Sequence, residues 1–188
     1  WNGDGFKSEP ESWNIRWISC SAFDNADGGF DLKSEHPYLE DVVALRNGRN
    51  IRIWSPYLAR LVNVNASYSE QAGGNGSPAG IWSQGALECS RCTLHNNPVQ
   101  VQLENNGSRG SKAFFRDSIL SIDRPEGGET LRLEEGTAVE LTRTSVWEKG
   151  GRGDDPQFQT TTGPGWEGGS PAFNSMRYGP KRGYFYKG

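Results

Sequence analysis

Six stretches of this chain can be laid over one another: WISCSAFDN from Trp17, LEDVVALRN from Leu39, LVNVNASYS from Leu61, LECSRCTLHN from Leu87, FFRDSILSID from Phe114 and VELTRTSVWEK from Val139. Each reads as a short strand with a small residue in one slot before a turn. The slot is filled by Ala22, Ala44, Ala66, Cys92, Ser118 and Ser145, in steps of 22, 22, 26, 26 and 27 residues. A second strand follows, in GGFDLKSE from Gly28, NIRIWSP from Asn50, AGIWSQG from Ala79, PVQVQLEN from Pro98 and ETLRLEE from Glu129, with an earlier copy, DGFKSE, at Asp4. Self-similarity at such a period marks a stacked-repeat architecture. Two or three short strands per repeat and no helix-length segment predict an all-β, right-handed parallel β-helix, a solenoid of about six to seven rungs. Successive coils would stack about 4.8 Å apart, and parallel connections are right-handed by default. A β-sandwich would instead show hairpin turns every 8–12 residues or so and no in-phase ladder.

Composition agrees with short strands and many turns: 25 Gly and 10 Pro accompany 34% hydrophobic residues. Lys plus Arg is 20 and Asp plus Glu is 23, a net charge of −3, which argues against a nucleic-acid partner, since such binders carry a basic excess. No apolar run approaches the roughly 18 residues of a membrane helix, so the sequence predicts a soluble chain with no membrane span. Rungs are expected over residues 1–147. Residues 148–188, rich in Gly and Pro, are expected to pack on the last rung and cover its edge within a single domain. Trp1 begins inside a rung, so a trimmed chain with further rungs or a cap before it is expected.

Three lesser motifs have ordinary explanations. Cys89-x-x-Cys92 followed by His95 has a zinc-like spacing, but a structural site needs four ligands, and buried strand positions explain these cysteines better. With Cys20 they make three cysteines, too few for a disulfide framework. Arg152-Gly153-Asp154 sits in a Gly-rich acidic turn, and the sequons at Asn65, Asn75 and Asn106 matter only where secreted proteins are glycosylated.

Alternation along the second strand separates its two faces. Phe30, Leu32, Ile51, Ile53, Ile81, Val99, Val101, Leu131 and Leu133 would face the core. Asp31, Lys33, Arg52, Trp54, Trp82, Gln100, Gln102 and Arg132 would face outward, joined by Lys7. Stacked rungs would turn the outward set into a stripe of cations, amides and two tryptophans. Exposed Trp faces suit sugar rings, and Arg and Lys suit carboxylates. Lys7, Trp54, Trp82, Gln100, Gln102 and Arg132 are therefore candidate contacts for an extended acidic polysaccharide, and the chain is expected to be secreted or extracellular.

Carboxylates gather at one end of this stripe. Asp4 precedes one second strand, Asp27 precedes the next a coil later, and Asp31 projects from it, with Asp24 nearby. Grouped carboxylates repel unless protonated or bridged by a cation. Oxygen donors without His select a hard ion, so Asp4, Asp27 and Asp31 are candidate Ca²⁺ ligands. Lys7 and Lys33 would otherwise neutralise the group.

The run CSAFDNADGGFDLKS resembles the rung signature of right-handed parallel β-helix polysaccharide lyases, especially the family-nine pectate lyases. Motifs carry the likeness from Asp4 to about Ser83, and repeat architecture carries the rest. DDPQF…GSPAFN is similar to the closing segment of secreted bacterial β-helix proteins. The resemblance implies that Ca²⁺ holds the substrate uronate and that a Lys removes the proton α to its carboxylate. Asp4, Asp27 and Asp31 match calcium-ligand positions, Gly28 falls where the family has another Asp, and Trp82 or Ser83 falls where it has the catalytic Lys. Lys33 and Arg52 are then the candidate catalytic groups. Three functions stay open: calcium-assisted β-elimination, inverting hydrolysis by a carboxylate pair among Asp24, Asp27 and Asp31, and carbohydrate binding or adhesion without cleavage.

Overall fold

A computed structural model describes residues 3–71, 73, 76–106, 111–148 and 157–159. Within them the chain passes three times per coil through short strands, and it does so for six coils. The first coil holds β1 (Phe6–Lys7), β2 (Arg16–Ile18) and β3 (Ser21–Phe23). The second holds β4 (Gly28–Leu32), β5 (Tyr38–Glu40) and β6 (Val43–Leu45), and the third β7 (Arg49–Ile53), β8 (Ala59–Val62) and β9 (Asn65–Ser67). The fourth holds β10 (Ala79–Ser83), β11 (Leu87–Ser90) and β12 (Thr93–His95). The fifth holds β13 (Val99–Leu103), β14 (Lys112–Arg116) and β15 (Ile119–Ile122), and the sixth β16 (Glu129–Leu133), β17 (Ala138–Thr142) and β18 (Thr144–Glu148). A last strand, β19 (Gln157–Gln159), pairs antiparallel with β18.

Equivalent strands of successive coils pair in parallel to make three sheets: β1-β4-β7-β10-β13-β16, β2-β5-β8-β11-β14-β17, and β3-β6-β9-β12-β15-β18 extended by β19. This is the expected parallel solenoid. Six parallel strands in each sheet make six stacked coils, within the six to seven rungs expected. Among the described residues there is no helix, and none long and apolar enough to cross a membrane.

Each of the six aligned stretches proves to be two strands joined by a corner. The corner residue is left-handed in every coil: Ser19, Asp41, Asn63, Arg91, Asp117 and Arg143 have φ between 46° and 56°. Such a conformation is costly for an L-residue, yet here the ladder continues through it. The amide of Ser19 donates to Glu40 O at 2.9 Å, Asn63 to Ser90 O at 2.8 Å and Arg91 to Arg116 O at 3.0 Å. A second left-handed row follows the third sheet at Asp24, Arg46, Tyr68 and Asn96.

The register corrects half of the small-residue slot. Ala22, Ala44 and Ala66 are in register, but they continue into Leu94, Leu120 and Val146 rather than Cys92, Ser118 and Ser145. The 28-residue step from Ala66 to Leu94 holds the long connection between β9 and β10. Cys92 and Ser118 sit at the preceding corner, where Ser118 Oγ accepts the Cys92 amide at 3.0 Å.

The core runs as columns through the coils. Phe30, Ile51, Ile81 and Val101 form one, and Leu39, Leu61, Cys89 and Phe115 another, all at most 2% exposed. Leu133, expected inside, is 42% exposed because β16 ends its sheet. Where the third sheet turns into the first, a buried amide ladder replaces apolar packing. Asn47 accepts from Asn25 Nδ2 at 2.7 Å and donates to Asn50 Oδ1 at 2.9 Å, and Asn50 donates to Asn97 Oδ1 at 3.1 Å. Gly80 lies against this ladder, and a Cβ there would sit 2.6 Å from Asn97 Nδ2, so the close approach requires glycine.

Candidate functional site

The outward side of the first sheet carries the predicted stripe as one register row: Lys7, Asp31, Arg52, Trp82, Gln102 and Arg132. Beside it, Lys33 and Trp54 continue β4 and β7 just past their ends. The row exists because these strands alternate strictly from Phe30, Ile51, Ile81, Val101 and Leu131 onward.

Before that point alternation fails. Gln100, expected outward, turns inward with Val101 and is fully buried, donating to Ser121 O at 2.7 Å and accepting from Asn97 Nδ2 at 2.6 Å. Val99, expected in the core, packs instead with Ala79 and Trp82 in a small separate cluster. The cause is the corner: the amide ladder needs a partner from β13 inside, and Gln100 supplies it.

Trp82 is outward in register but only 1% exposed. Its ring packs edge-on against Trp54, centroids 4.5 Å apart at 62°, and the Arg49 guanidinium lies 4.6 Å from its centre. Its Nε1 donates to Glu104 Oε1 at 2.7 Å, and Glu104 also accepts from Gln102 Nε2 at 2.9 Å. Trp82 is thus an anchor beneath the surface. Arg49 and Glu104, which hold it, were not among the expected site residues, since each lies outside the alternating run that flagged the others. Trp54 stays half-buried, pinned by its Nε1 bond to Asp31 Oδ1 at 2.8 Å, with the Arg52 guanidinium 4.9 Å from its centre.

The expected acidic group does assemble, together with both candidate catalytic cations. Asp31 is 1% exposed and is met by Lys33 Nζ at 2.8 Å, Arg52 Nε at 3.4 Å and Trp54 Nε1. Asp27 is bound by Arg52 Nη1 at 2.6 Å. Asp4 accepts the Gly28 amide at 2.8 Å. Burial pushes the Asp4 carboxyl above its ordinary value, opposed by that amide bond and reinforced by the charges of Asp31 and Asp27. Asp24 stands apart at its corner, bound by Arg46 through two contacts of 2.7 and 2.8 Å.

These carboxylates do not make a calcium cage as they stand. Arg52 and Lys33 fill the positions a cation would take against Asp27 and Asp31, and Asp4 is turned to a backbone amide. Among the described residues no group of three His, Cys, Asp or Glu is placed to hold a metal ion. The Cys89, Cys92 and His95 motif does not converge either: Cys89 and Cys92 line the core, and alternation sends His95 to the opposite face from Leu94. Asn65 is 1% exposed within β9, so its sequon is closed in the folded chain. Asn75, Arg152-Gly153-Asp154 and most of the expected covering segment 148–188 lie outside the described residues.

Every cation of the stripe has a carboxylate on the same face. Lys7 pairs with Glu9 at 2.7 Å and Arg132 with Glu129 at 2.8 Å, besides the Lys33 and Arg52 pairs. The face is therefore a mosaic of paired charges rather than a positive track. Comparison with protein-family models, with curated protein sequences and with solved structures finds no match.

Proposed function

We propose that this protein binds an extended, hydroxyl-rich polysaccharide of low charge along the outer face of the first sheet, and does not cleave it. The observation that carries this reading is the half-buried Trp54 ring, locked by Asp31 and Trp82, with Gln102 and Arg132 in the adjoining Arg52–Trp82 row and Glu104 bonded to both Trp82 and Gln102. A rigid aromatic surface beside alternating donors and acceptors suits sugar rings, which offer an apolar face and a rim of hydroxyls. Rungs about 4.8 Å apart repeat those contacts along the ligand.

Paired charges separate this reading from an acidic ligand and from β-elimination. A uronate would have to displace Glu9, Asp27, Asp31 or Glu129 from its own cation. A base must reach the substrate proton, and Lys33 and Arg52 are both engaged with Asp31. That Asp4, Asp27, Asp31, Lys33 and Arg52 nevertheless gather in one place is what favours a lyase as the second reading.

Calorimetry with neutral and uronate polysaccharides, paired with absorbance near 235 nm in calcium and in chelator, tests both. The expected result is binding of a neutral polymer, weakened roughly tenfold by Trp54→Ala, with flat absorbance throughout. Absorbance that grows on a polyuronate and stops with chelator would establish calcium-dependent elimination instead. Affinity unchanged in Trp54→Ala removes the first sheet as the binding face.

A further inference from the structure

The second sheet carries a feature that the stripe does not use. Its outward positions form two register rows. One runs Arg16, Tyr38, Arg60, Glu88, Phe114 and Glu140, and the other runs Ile18, Glu40, Val62, Ser90, Arg116 and Thr142. In the early coils the rows are closed by their own contacts. The Arg16 guanidinium lies over the Tyr38 ring at 4.5 Å, the Tyr38 hydroxyl donates to Glu40 Oε2 at 3.0 Å, and Arg60 pairs with Glu88 at 3.2 Å.

At the fourth to sixth coils the rows open into a hollow of about 230 Å³. Outward Glu88, Ser90, Phe114, Arg116, Glu140 and Thr142 line it. The grid is regular: Phe114 has Glu88 on one side and Glu140 on the other, and Arg116 has Ser90 and Thr142. Two strand spacings by two residues make a footprint of about 9.6 by 6.8 Å, room for one sugar ring but not for a stacked pair. Phe114 is half-buried, so its ring is held while part of it stays accessible.

Charge sets this hollow apart from the first sheet. The side chains of Arg116 and Glu140 have no ion pair or hydrogen bond among the described residues, while Glu88 is neutralised by Arg60. A guanidinium fork and a carboxylate without hydrogen-bond partners among the described residues therefore flank an aromatic surface, with two hydroxyls beside them, although the Arg116 charge is also felt by Asp117. A pyranose ring matches all three elements. Its axial C–H face packs on the aromatic ring, one hydroxyl donates to the carboxylate, and a neighbouring oxygen accepts from the guanidinium. Both groups bond more strongly as charged partners than neutral ones would.

We infer that the hollow around Phe114 is a second saccharide site, which takes a single neutral pyranose on the ring, its hydroxyls shared between Glu140 and Arg116. It lies on a different sheet from the proposed polysaccharide face and stands or falls separately.

The test is titration of the full chain with glucose, galactose, mannose and their disaccharides, by calorimetry and ligand-observed NMR. Wild type is compared with Phe114→Leu, Glu140→Gln, Arg116→Ala and Trp54→Ala. Phe114→Leu keeps an apolar residue in a strand, and thermal melting confirms that it folds. Expected is binding of at least one sugar, weakened roughly tenfold in Phe114→Leu and also weakened in Glu140→Gln and Arg116→Ala, with Trp54→Ala like wild type. Sugar binding lost in Trp54→Ala and kept in Phe114→Leu places the ring on the first sheet and overturns the assignment. So does the absence of binding by every sugar, or equal affinity in wild type and all three hollow variants.

Discussion

Asn97→Ala is expected to lower the unfolding free energy by about 4 kcal/mol, read from the midpoint of chemical denaturation. Asn97 is fully buried and makes four hydrogen bonds. It accepts from Asn50 Nδ2 at 3.1 Å and the Ser69 amide at 2.9 Å, and donates to Ala66 O at 2.9 Å and Gln100 Oε1 at 2.6 Å. Truncation takes a partner from the Ser69 amide, the Ala66 carbonyl, Asn50 and Gln100 in a fully buried corner. Each stranded buried group costs about 1–3 kcal/mol. One of the losses is softened, because Asn50 Nδ2 still donates to Ser67 O, whereas Gln100 Oε1 loses its Asn97 donor. The result does not depend on cavity volume alone, since Asn97→Leu refills the space and is expected to be no better. A loss below about 1 kcal/mol for Asn97→Ala would mean that water replaces the amide, and that the ladder contributes little.

Lowering the pH from about 6.5 to about 4 is expected to destabilise the fold by about 3 kcal/mol through His95 alone. This side chain is 3% exposed, bonded through Nδ1 to Ser121 Oγ at 2.9 Å, with the Tyr68 ring edge-on at 5.2 Å. Burial lowers its pKa to about 4, against smaller opposing effects of the Asp123 charge and the Ser121 backbone. The sign follows from proton counting. Between about 4 and 6.5 the unfolded imidazole binds a proton that the folded one refuses, so stability falls as pH falls. Each pH unit across the window is worth about 1.4 kcal/mol. Asp24 and Asp117 add to the loss only at lower pH, because bonds from Arg46 and Arg143 hold their carboxyls below the ordinary value. Asp4 opposes them, its raised carboxyl being easier to protonate in the fold. Denaturation midpoints of wild type and His95→Gln at pH 7, 6, 5 and 4 check this. The variant is expected to have a much shallower slope than wild type over the window, and parallel curves would assign the acid sensitivity elsewhere.

Both effects sit at positions that periodicity does not mark. Asn97 and His95 look in sequence like the turn residues and polar strand ends that every coil possesses. What makes them consequential is stacking: Asn97 bonds to residues 47, 31 and 28 positions away, and His95 to one 26 positions away. Nothing in a single repeat announces such contacts. The same is true of Gln100. Its place in an alternating run argues for the outer face, and only the demand of the corner ladder draws it inward.

The register of the repeat was half legible for a related reason. Ala22, Ala44 and Ala66 are separated by equal 22-residue steps, so composition alone aligns them. After the long β9–β10 connection, Cys92 and Ser118 mimic the small slot two positions early. Both rows face inward and both accept small side chains, so side-chain type does not separate them. The backbone hydrogen bonds through the left-handed corners do.

For the candidate site, residue types and their spacing were enough to bring Asp4, Asp27, Asp31, Lys33, Arg52 and Trp54 to one place. A ladder with one rung per repeat must superpose whatever recurs at its period. Their pairing and exposure were set by what lies around them. Asp31 is sealed by two cations and an indole, Trp82 is roofed by Arg49, and the hollow at Phe114 depends on Arg116 and Glu140 finding no partner among the described residues. The period of the chain therefore determined the all-β solenoid and which residues share a face, because pairing in parallel coils depends only on sequence separation. Which of them are exposed, paired or free was decided in three dimensions, because burial and charge pairing depend on neighbours that arrive from other coils and from corners where alternation breaks.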